Sequence, residues 1–245
     1  MQKTPRFFIS KFQIKRKRFL LEDERVVKHM GLVMRLKKGD KIILFDGEGK
    51  EYNAVLGYIS KKQAAGVVES EGIVESKTKF HITLAQSLPR AGKLDDVVRM
   101  NTEVGVEKFI LFESEYSIAK AESVNDPKLQ RLQKVIVESL RQSEGTVMPS
   151  IEGAISYSEL LKMPDFDSKI ILHSRDTKDS KSLIEIKKKI KDGSKVLIII
   201  GPEGGFAPKE ISLAKENGCV VAYLSLPVLR TETAGVVVSA FLLIS

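Results

Sequence analysis

Two short stretches concentrate the residue types that can do chemistry. The first is "GPEGG", Gly201 to Gly205, which ends the apolar run Val196 to Ile200 and leads into "FAPKE". Glycine lets backbone N–H groups come close to a ligand because no Cβ stands in the way. The phosphate loops built on that property have other letters: no GxGxxG is present, and the Gly-Lys-Ser/Thr ending of a P-loop is absent. Five such residues alone also describe a tight structural turn. The second stretch, "SLPVLRTETAG" from Ser225 to Gly235, joins a fixed cation, Arg230, to two threonines and Glu232. Thr231 reads as a helix N-cap, whose hydroxyl accepts from an otherwise unpaired N–H, yet a cap does not require an arginine beside it. Arg90 and Lys93, in "SLPRAGKLDD", lie at a third strand-to-helix junction.

The elements that must hold these stretches follow from the periodicity. From "FHITLAQSL" onward, apolar strands ("KFILFES", "SKIILHS", "KVLIII", "CVVAYLSL") alternate with helical segments ("KLDDVVRMNTEVGV", "DPKLQRLQKVIVESLRQS", "APKEISLAKENG"). Continuous apolar strands separated by helices predict a parallel sheet covered on both faces. Ligands of such sheets sit beyond the carboxyl ends of the strands, where both glycine and arginine stretches fall. Two adjacent rim loops make a pocket; one makes a turn.

Residues 5–74 read differently. The short strands "RFFI", "KIILFDG", "EYNAVLGYI" and "AAGVVES" are separated by turn material and interrupted by one helix, "EDERVVKHMGLVMRL", with apolar residues at 26, 27, 30, 33 and 34. They predict a small β-barrel, and "SEGIVESKTK" reads as the linker after it. The expected domains are therefore 1–74 and 75–245. The net charge of +8 is uneven: the first 75 residues hold sixteen Lys and Arg against ten Asp and Glu. That excess suits a polyanionic partner or a solvated basic face. One cysteine, Cys219, excludes an internal disulfide and a thiolate-built metal site, so no metal is expected, and a reducing cytoplasm fits. No apolar run approaches the ~18 residues of a membrane span. The basic N-terminal residues, Lys3 onward, argue against a signal peptide, and the strand-like "RFFISKFQI" against a transit peptide.

The pair "IGPEGGF...E" and "LR-ETA", with "TEVGVEKFILFESEYS" and an N-terminal "PRFF...HMGLVMRLKKGDKIILFDG", resembles the ribosomal RNA small subunit methyltransferase E family of the SPOUT superfamily. The match runs through nearly the whole chain. The resemblance implies an S-adenosylmethionine-dependent enzyme that methylates N3 of a uridine in 16S ribosomal RNA of the small subunit. It also implies a PUA-like RNA-binding β-barrel, a C-terminal α/β domain whose chain forms a trefoil knot, and a homodimer. Connection rules alone would argue against a knot.

Carried onto this sequence, the resemblance places the cofactor against Ile200, Gly201, Pro202, Glu203, Gly204 and Gly205. Leu224, Ser225, Leu226, Val228, Leu229 and Arg230 form a facing wall, and Leu172 and His173 a third side. Arg230 is the catalytic candidate, stabilising negative charge on the uracil carbonyls as N3 loses its proton, with pairing to Glu232 or Glu203 as the structural alternative. Arg6, Lys11, Arg16, Arg18, Arg35, Arg90 and Lys93 are the candidates for RNA contact. The chain departs from the family pattern at Met100, Tyr116, Arg141, Gly145, Ser225 and Pro227. Two other functions stand beside this reading: an RNA-binding ribosome assembly factor without catalysis, and a SPOUT methyltransferase with another RNA target.

Overall fold

In the computed structural model the described residues are 4–74, 78–90, 92–173 and 179–244. They divide into two compact units, one containing residues 4–74 with 140–148, the other the remainder. The expected division after residue 74 therefore misses 140–148, which return to the first unit. There the backbone of Gly49 donates to Thr146 O at 3.1 Å, and Met148 N–H donates to Gly47 O at 2.8 Å. Residues 75–77, inside the expected linker, lie outside the described residues, as do Lys3, Ala91 and Ser174.

The first unit contains β1 (Arg6–Phe8), β2 (Ile14–Lys15), β3 (Arg18–Leu21), α1 (Glu24–Lys28), β4 (Lys41–Phe45), β5 (Lys50–Ile59) and β6 (Ala64–Ile73). The strands form one six-stranded sheet in the order β1-β4-β5-β6-β3-β2. Period-two alternation turns Phe19, Leu21, Ile42, Leu44, Ala54 and Leu56 to one face, where they form the core with Val27 and Met30 of the helical segment. Phe19 lies opposite Gly66 in the register, and a Cβ at Gly66 would strike the Phe19 ring at 2.6 Å and Val55 O at 2.1 Å.

The single helix expected over "EDERVVKHMGLVMRL" begins two residues later than that segment, at Glu24, because Asp23 stands outside it as the N-cap, its carboxylate accepting from Arg25 N–H at 2.9 Å. After Lys28 it widens into a π-helical stretch, His29–Val33, closed by Met34 N–H donating to His29 O. A wider turn breaks the 3.6-residue spacing on which the sequence reading relied. Val33, assigned there to the apolar face, is 68% exposed.

The second unit contains β7 (His81–Ser87), α2 (Lys93–Val104), β8 (Lys108–Glu113), α3 (Asp126–Ser143), whose last turn belongs to the first unit, β9 (Ser150–Ser156), α4 (Tyr157–Lys162), β10 (Ser168–Leu172), β11 (Lys181–Ser182), α5 (Leu183–Lys187), β12 (Lys195–Ile200), α6 (Pro208–Glu216), β13 (Val220–Tyr223) and α7 (Thr231–Leu243). Its sheet is parallel throughout, in the order β11-β13-β10-β12-β7-β8-β9. The central strands are sealed on both faces: every residue from Val196 to Ile200 and from Ile82 to Ser87 is buried. Helix α7 packs on α2, β7 and β12. Gly235 makes that approach possible, because a Cβ there would lie 3.3 Å from Asn101 Nδ2 and 3.4 Å from Leu84.

The chain steps outward from β7 through β8 to β9, then returns to the other side of β12 to lay down β10 and β13. That reversal leaves β13, β10, β12 and β7 as four consecutive neighbours whose carboxyl ends share one rim, the place where open parallel sheets hold ligands.

Candidate active site

The rim carries a cavity of about 510 Å³. Leu172 and His173 come from the end of β10, Ile200 to Phe206 from the loop after β12, and Leu224, Leu226 to Arg230 from the loop after β13. Arg90 and Lys93, which bracket the turn after β7, close the remaining side, and Thr231, Glu232 and Ala234 of α7 form the floor. Of the residues expected to hold a cofactor, Ser225 alone does not line this cavity. It is exposed, and Pro227 stands in the wall instead.

The glycines of "GPEGG" have more than one cause. At Gly201 an added Cβ would meet the Phe206 ring at 3.0 Å, and at Gly204 it would meet Tyr116 Cβ at 3.1 Å. Gly205 has open space around it but sits at φ +72°, in the left-handed region that side chains disfavour, and its N–H closes a turn on Pro202 O at 2.9 Å. The sequence reading weighed ligand approach against a tight turn; packing against Phe206 and against Tyr116, in the segment after β8, accounts for two of the glycines, and the turn for a third. Phe206 is itself stacked on Phe112, with centroids 6.5 Å apart and planes 3° from parallel.

Thr231 does not cap α7. The N-cap is Arg230, and Thr231 is the first helical residue. Its buried hydroxyl donates to Gly201 O at 2.6 Å and accepts from Gln86 Nε2 at 2.9 Å. One side chain thus ties together the β7, β12 and β13 ends. A second tie was not anticipated: Glu210, 6% exposed, accepts from Ala207 N–H at 2.9 Å and from Glu115 N–H, in the loop after β8, at 3.0 Å. The signal that could have found it is a glutamate at the third helical position of a helix opened by Pro208, the acidic half of a capping box, since Ala207 at the N-cap has no hydroxyl.

The acids of the site take their hydrogen bonds from groups other than Arg230. Glu203 accepts from the Arg90 backbone N–H at 3.1 Å. Glu232 accepts from Lys93 Nζ at 2.8 Å; that hydrogen bond, outweighing burial, holds its carboxyl below the usual range, with the Lys93 and Arg230 charges adding to it. Among the described residues the guanidinium of Arg230 forms no ion pair, so the cavity mouth carries an uncommitted cation.

The candidates for RNA contact separate into groups. Arg6 is corrected outright: it is 6% exposed, bonded to Glu51 and to Gly145 O, with its guanidinium 5.3 Å from the Phe45 ring centre. It is a core arginine of the first unit. Lys11 is exposed but paired with Glu48 at 2.8 Å. Arg16, Arg18 and Arg35 are exposed, Arg16 at positive φ in a turn and Arg35 at positive φ just beyond the helical segment expected to contain it. Arg90 and Lys93 belong to the cavity, Lys93 with its charge matched by Glu232.

A parallel sheet with this rim cavity is the architecture of an RNA methyltransferase domain, and the model of that family matches residues 76–243, while the model described as an RNA methyltransferase PUA domain matches 21–69. The ribosomal RNA small subunit methyltransferase E of Bacillus subtilis is 30% identical over 212 residues, covering 85% of this chain and 83% of its own. That of Rickettsia conorii is 30% identical over 236 residues, covering 96% and 93%. Among solved structures, a ribosomal RNA small subunit methyltransferase E from Neisseria gonorrhoeae bound to S-adenosyl methionine superposes with a TM-score of 0.86 at 29% identity, covering 98% of this chain and 96% of the other. A putative methyltransferase from Legionella pneumophila, solved with bound S-adenosylmethionine, gives 0.87 at 26% identity, covering 98% and 97%. The chain belongs to the ribosomal RNA small subunit methyltransferase E family.

Proposed function

We propose that this protein transfers a methyl group from S-adenosylmethionine to N3 of a uridine in 16S ribosomal RNA. The observation that carries the reading is the joint cavity: the glycine loop and the arginine loop, far apart in sequence, enclose one space with apolar walls and a free cation at its mouth. Leu172, Ile200, Leu224 and Leu226 would take the flat faces of an adenosyl group, and main-chain groups of Gly201 to Gly205 and Leu224 to Leu229 its polar edges. When bound, the cofactor supplies an electrophilic sulfonium methyl.

The chain's own part is positioning and charge. In-line alignment of nitrogen, methyl and sulfur can account for a large share of the barrier reduction. Arg230, at the start of α7, would stabilise charge that builds on the uracil oxygens as N3 gives up its proton to water and takes the methyl, S-adenosylhomocysteine being the leaving group. Lys93 and Glu232 neutralise each other beneath it and keep the floor rigid.

The two units divide the work in this reading. The first holds RNA and the second binds the cofactor and reacts. A homodimer is supported by family membership. A trefoil knot in the second unit is supported by family membership. No helix among the described residues is long and apolar enough to cross a membrane. The test is nucleoside mass spectrometry of 16S ribosomal RNA from a strain lacking the gene, read together with calorimetry of the purified protein and S-adenosylmethionine. Loss of 3-methyluridine and a measurable heat of binding are expected. Unchanged 3-methyluridine with no heat overturns the proposal; binding with unchanged 3-methyluridine favours another RNA target.

A further inference from the structure

The solvent-facing side of the first unit's sheet has a composition that the core does not require. Strand register fixes which residues share it. Lys15 pairs with Arg18, Arg18 with Val67, Val67 with Val55 and Val55 with Lys41, a single row across five strands. The adjacent row is Leu20, Ala65 and Tyr58. A bulge between Leu56 and Tyr58 sets this second row: it shifts the register by one residue and turns Tyr58 outward beside Ala65. Leu20, Val67 and Tyr58 are 38%, 50% and 55% exposed. The result is an apolar strip with one aromatic ring, bordered by Lys15 and Arg18 on one side and Lys41 on the other.

Among the described residues none of these three cations forms an ion pair. The acids nearest in register are Asp40 just before β4, whose carboxylate accepts from Lys37 N–H at 2.7 Å, Glu22, whose carboxylate accepts from Gln63 beyond the end of β3, and Glu69, the unpaired residue of a second bulge. From Arg18 to Lys41 is three strand spacings, about 14 Å. A surface of this kind, half apolar with cations along two borders, does not suit a duplex, whose phosphates would have to reach past the strip. It suits an unpaired strand whose bases lie on the apolar face and whose phosphates meet the borders.

We propose that this face, with Tyr58 as the base-stacking residue and Lys15, Arg18 and Lys41 as phosphate contacts, is a docking platform for a single-stranded segment of RNA. The identity of the partner as RNA rests on the functional reading above; the geometry of the platform does not. Of its members, Arg18 alone was a candidate from the sequence.

The experiment is fluorescence anisotropy of a short labelled single-stranded oligoribonucleotide on the full-length protein across a salt series. Arg18→Ala combined with Lys41→Ala should flatten the slope of log K against log salt by about 1.4, given roughly 0.7 per phosphate for single strands. Tyr58→Ala should weaken binding about tenfold, and Tyr58→Phe should not. Lys134→Ala combined with Lys162→Ala, which removes two exposed charges of the second unit, should leave the slope unchanged. Calorimetry with S-adenosylmethionine should give the same affinity in every variant, so failure of the cofactor reading and failure of the platform are separate results. The platform is overturned if the Arg18 and Lys41 variant keeps the parent slope, if the Lys134 and Lys162 variant loses as much, or if a duplex of equal length binds as tightly as the single strand. All substituted side chains point to solvent, and unchanged thermal unfolding will show that the fold is intact.

Discussion

The Thr231 hydroxyl donates to the Gly201 carbonyl at 2.6 Å while accepting from Gln86 Nε2 at 2.9 Å, so one buried side chain fastens the arginine loop to the glycine loop. Neither loop is part of the sheet, so no ladder of backbone bonds joins them. The bond joins two walls of the cavity.

Thr231→Val keeps the shape and removes the bond. Gln86, fully buried, is then left with an unmatched donor, and a buried polar group without a partner costs about 1–3 kcal/mol. The variant should unfold at lower denaturant concentration by that amount and bind S-adenosylmethionine more weakly. Thr231→Ser should recover most of both. Equal stability and equal affinity in the valine variant would mean that the tie does not set the cavity.

Arg230→Ala should separate binding from reaction. The guanidinium is uncommitted in the structure, so its loss leaves no orphaned carboxylate, and cofactor affinity should change only severalfold. Turnover on small-subunit RNA should fall by about 10²–10³ if the cation meets developing charge. Single-turnover methylation with saturating cofactor is the measurement, and an unaltered rate removes Arg230 from the chemistry.

Gly204→Ala tests the packing account of the glycine loop. Its Cβ would lie 3.1 Å from Tyr116 Cβ, which is near the backbone and has little freedom to give. A destabilisation of about 1–3 kcal/mol is expected from such overpacking. Because Tyr116→Ala leaves the backbone-linked Cβ in place, Tyr116→Gly is the relieving partner: the double variant should show a coupling energy of the opposite sign to the alanine penalty. Strict additivity in denaturant melts would place the reason for this glycine on the ligand side.

The Lys93–Glu232 pair makes a pH prediction with a definite sign. The folded carboxyl is held below its ordinary value, so its contribution to stability is complete above that value and is lost as pH falls through the lowered one. Urea unfolding at stepwise lower pH should show an acid-side decline that is shallower in Glu232→Gln. Stability above the carboxylate range should carry no dependence from this group. A variant with the parent's acid slope excludes the pair as its source.

Much of the site could be read from the letters because its signals are local. The apolar runs at Val196–Ile200 and "KFILFES" are too short for helices and bounded by turn residues, so they read as buried strands, and the loops after them fall at one edge by the rules of parallel sheets. The edge strand β9, "SIEGAIS", was not legible: it is only half-buried and contains a glycine, so neither alternation nor an apolar run marks it. The helix at residues 24–33 was read at the wrong pitch, since a π-helical turn depends on how the segment packs and leaves no period of its own.

Composition and periodicity determined that there is a parallel sheet with two chemically distinctive loops on its carboxyl rim, because burial dictates residue type one position at a time. Which arginines are free was decided only in three dimensions. Arg6 and Arg18 are alike as letters, yet register and packing place one under Glu51 and Phe45 and leave the other in solvent. The same holds for Thr231 and Glu210, whose partners are fixed by strands and loops far away in the chain. A charge or a hydroxyl acquires its role from what lies opposite it, and that is a property of the folded chain, not of its neighbours in sequence.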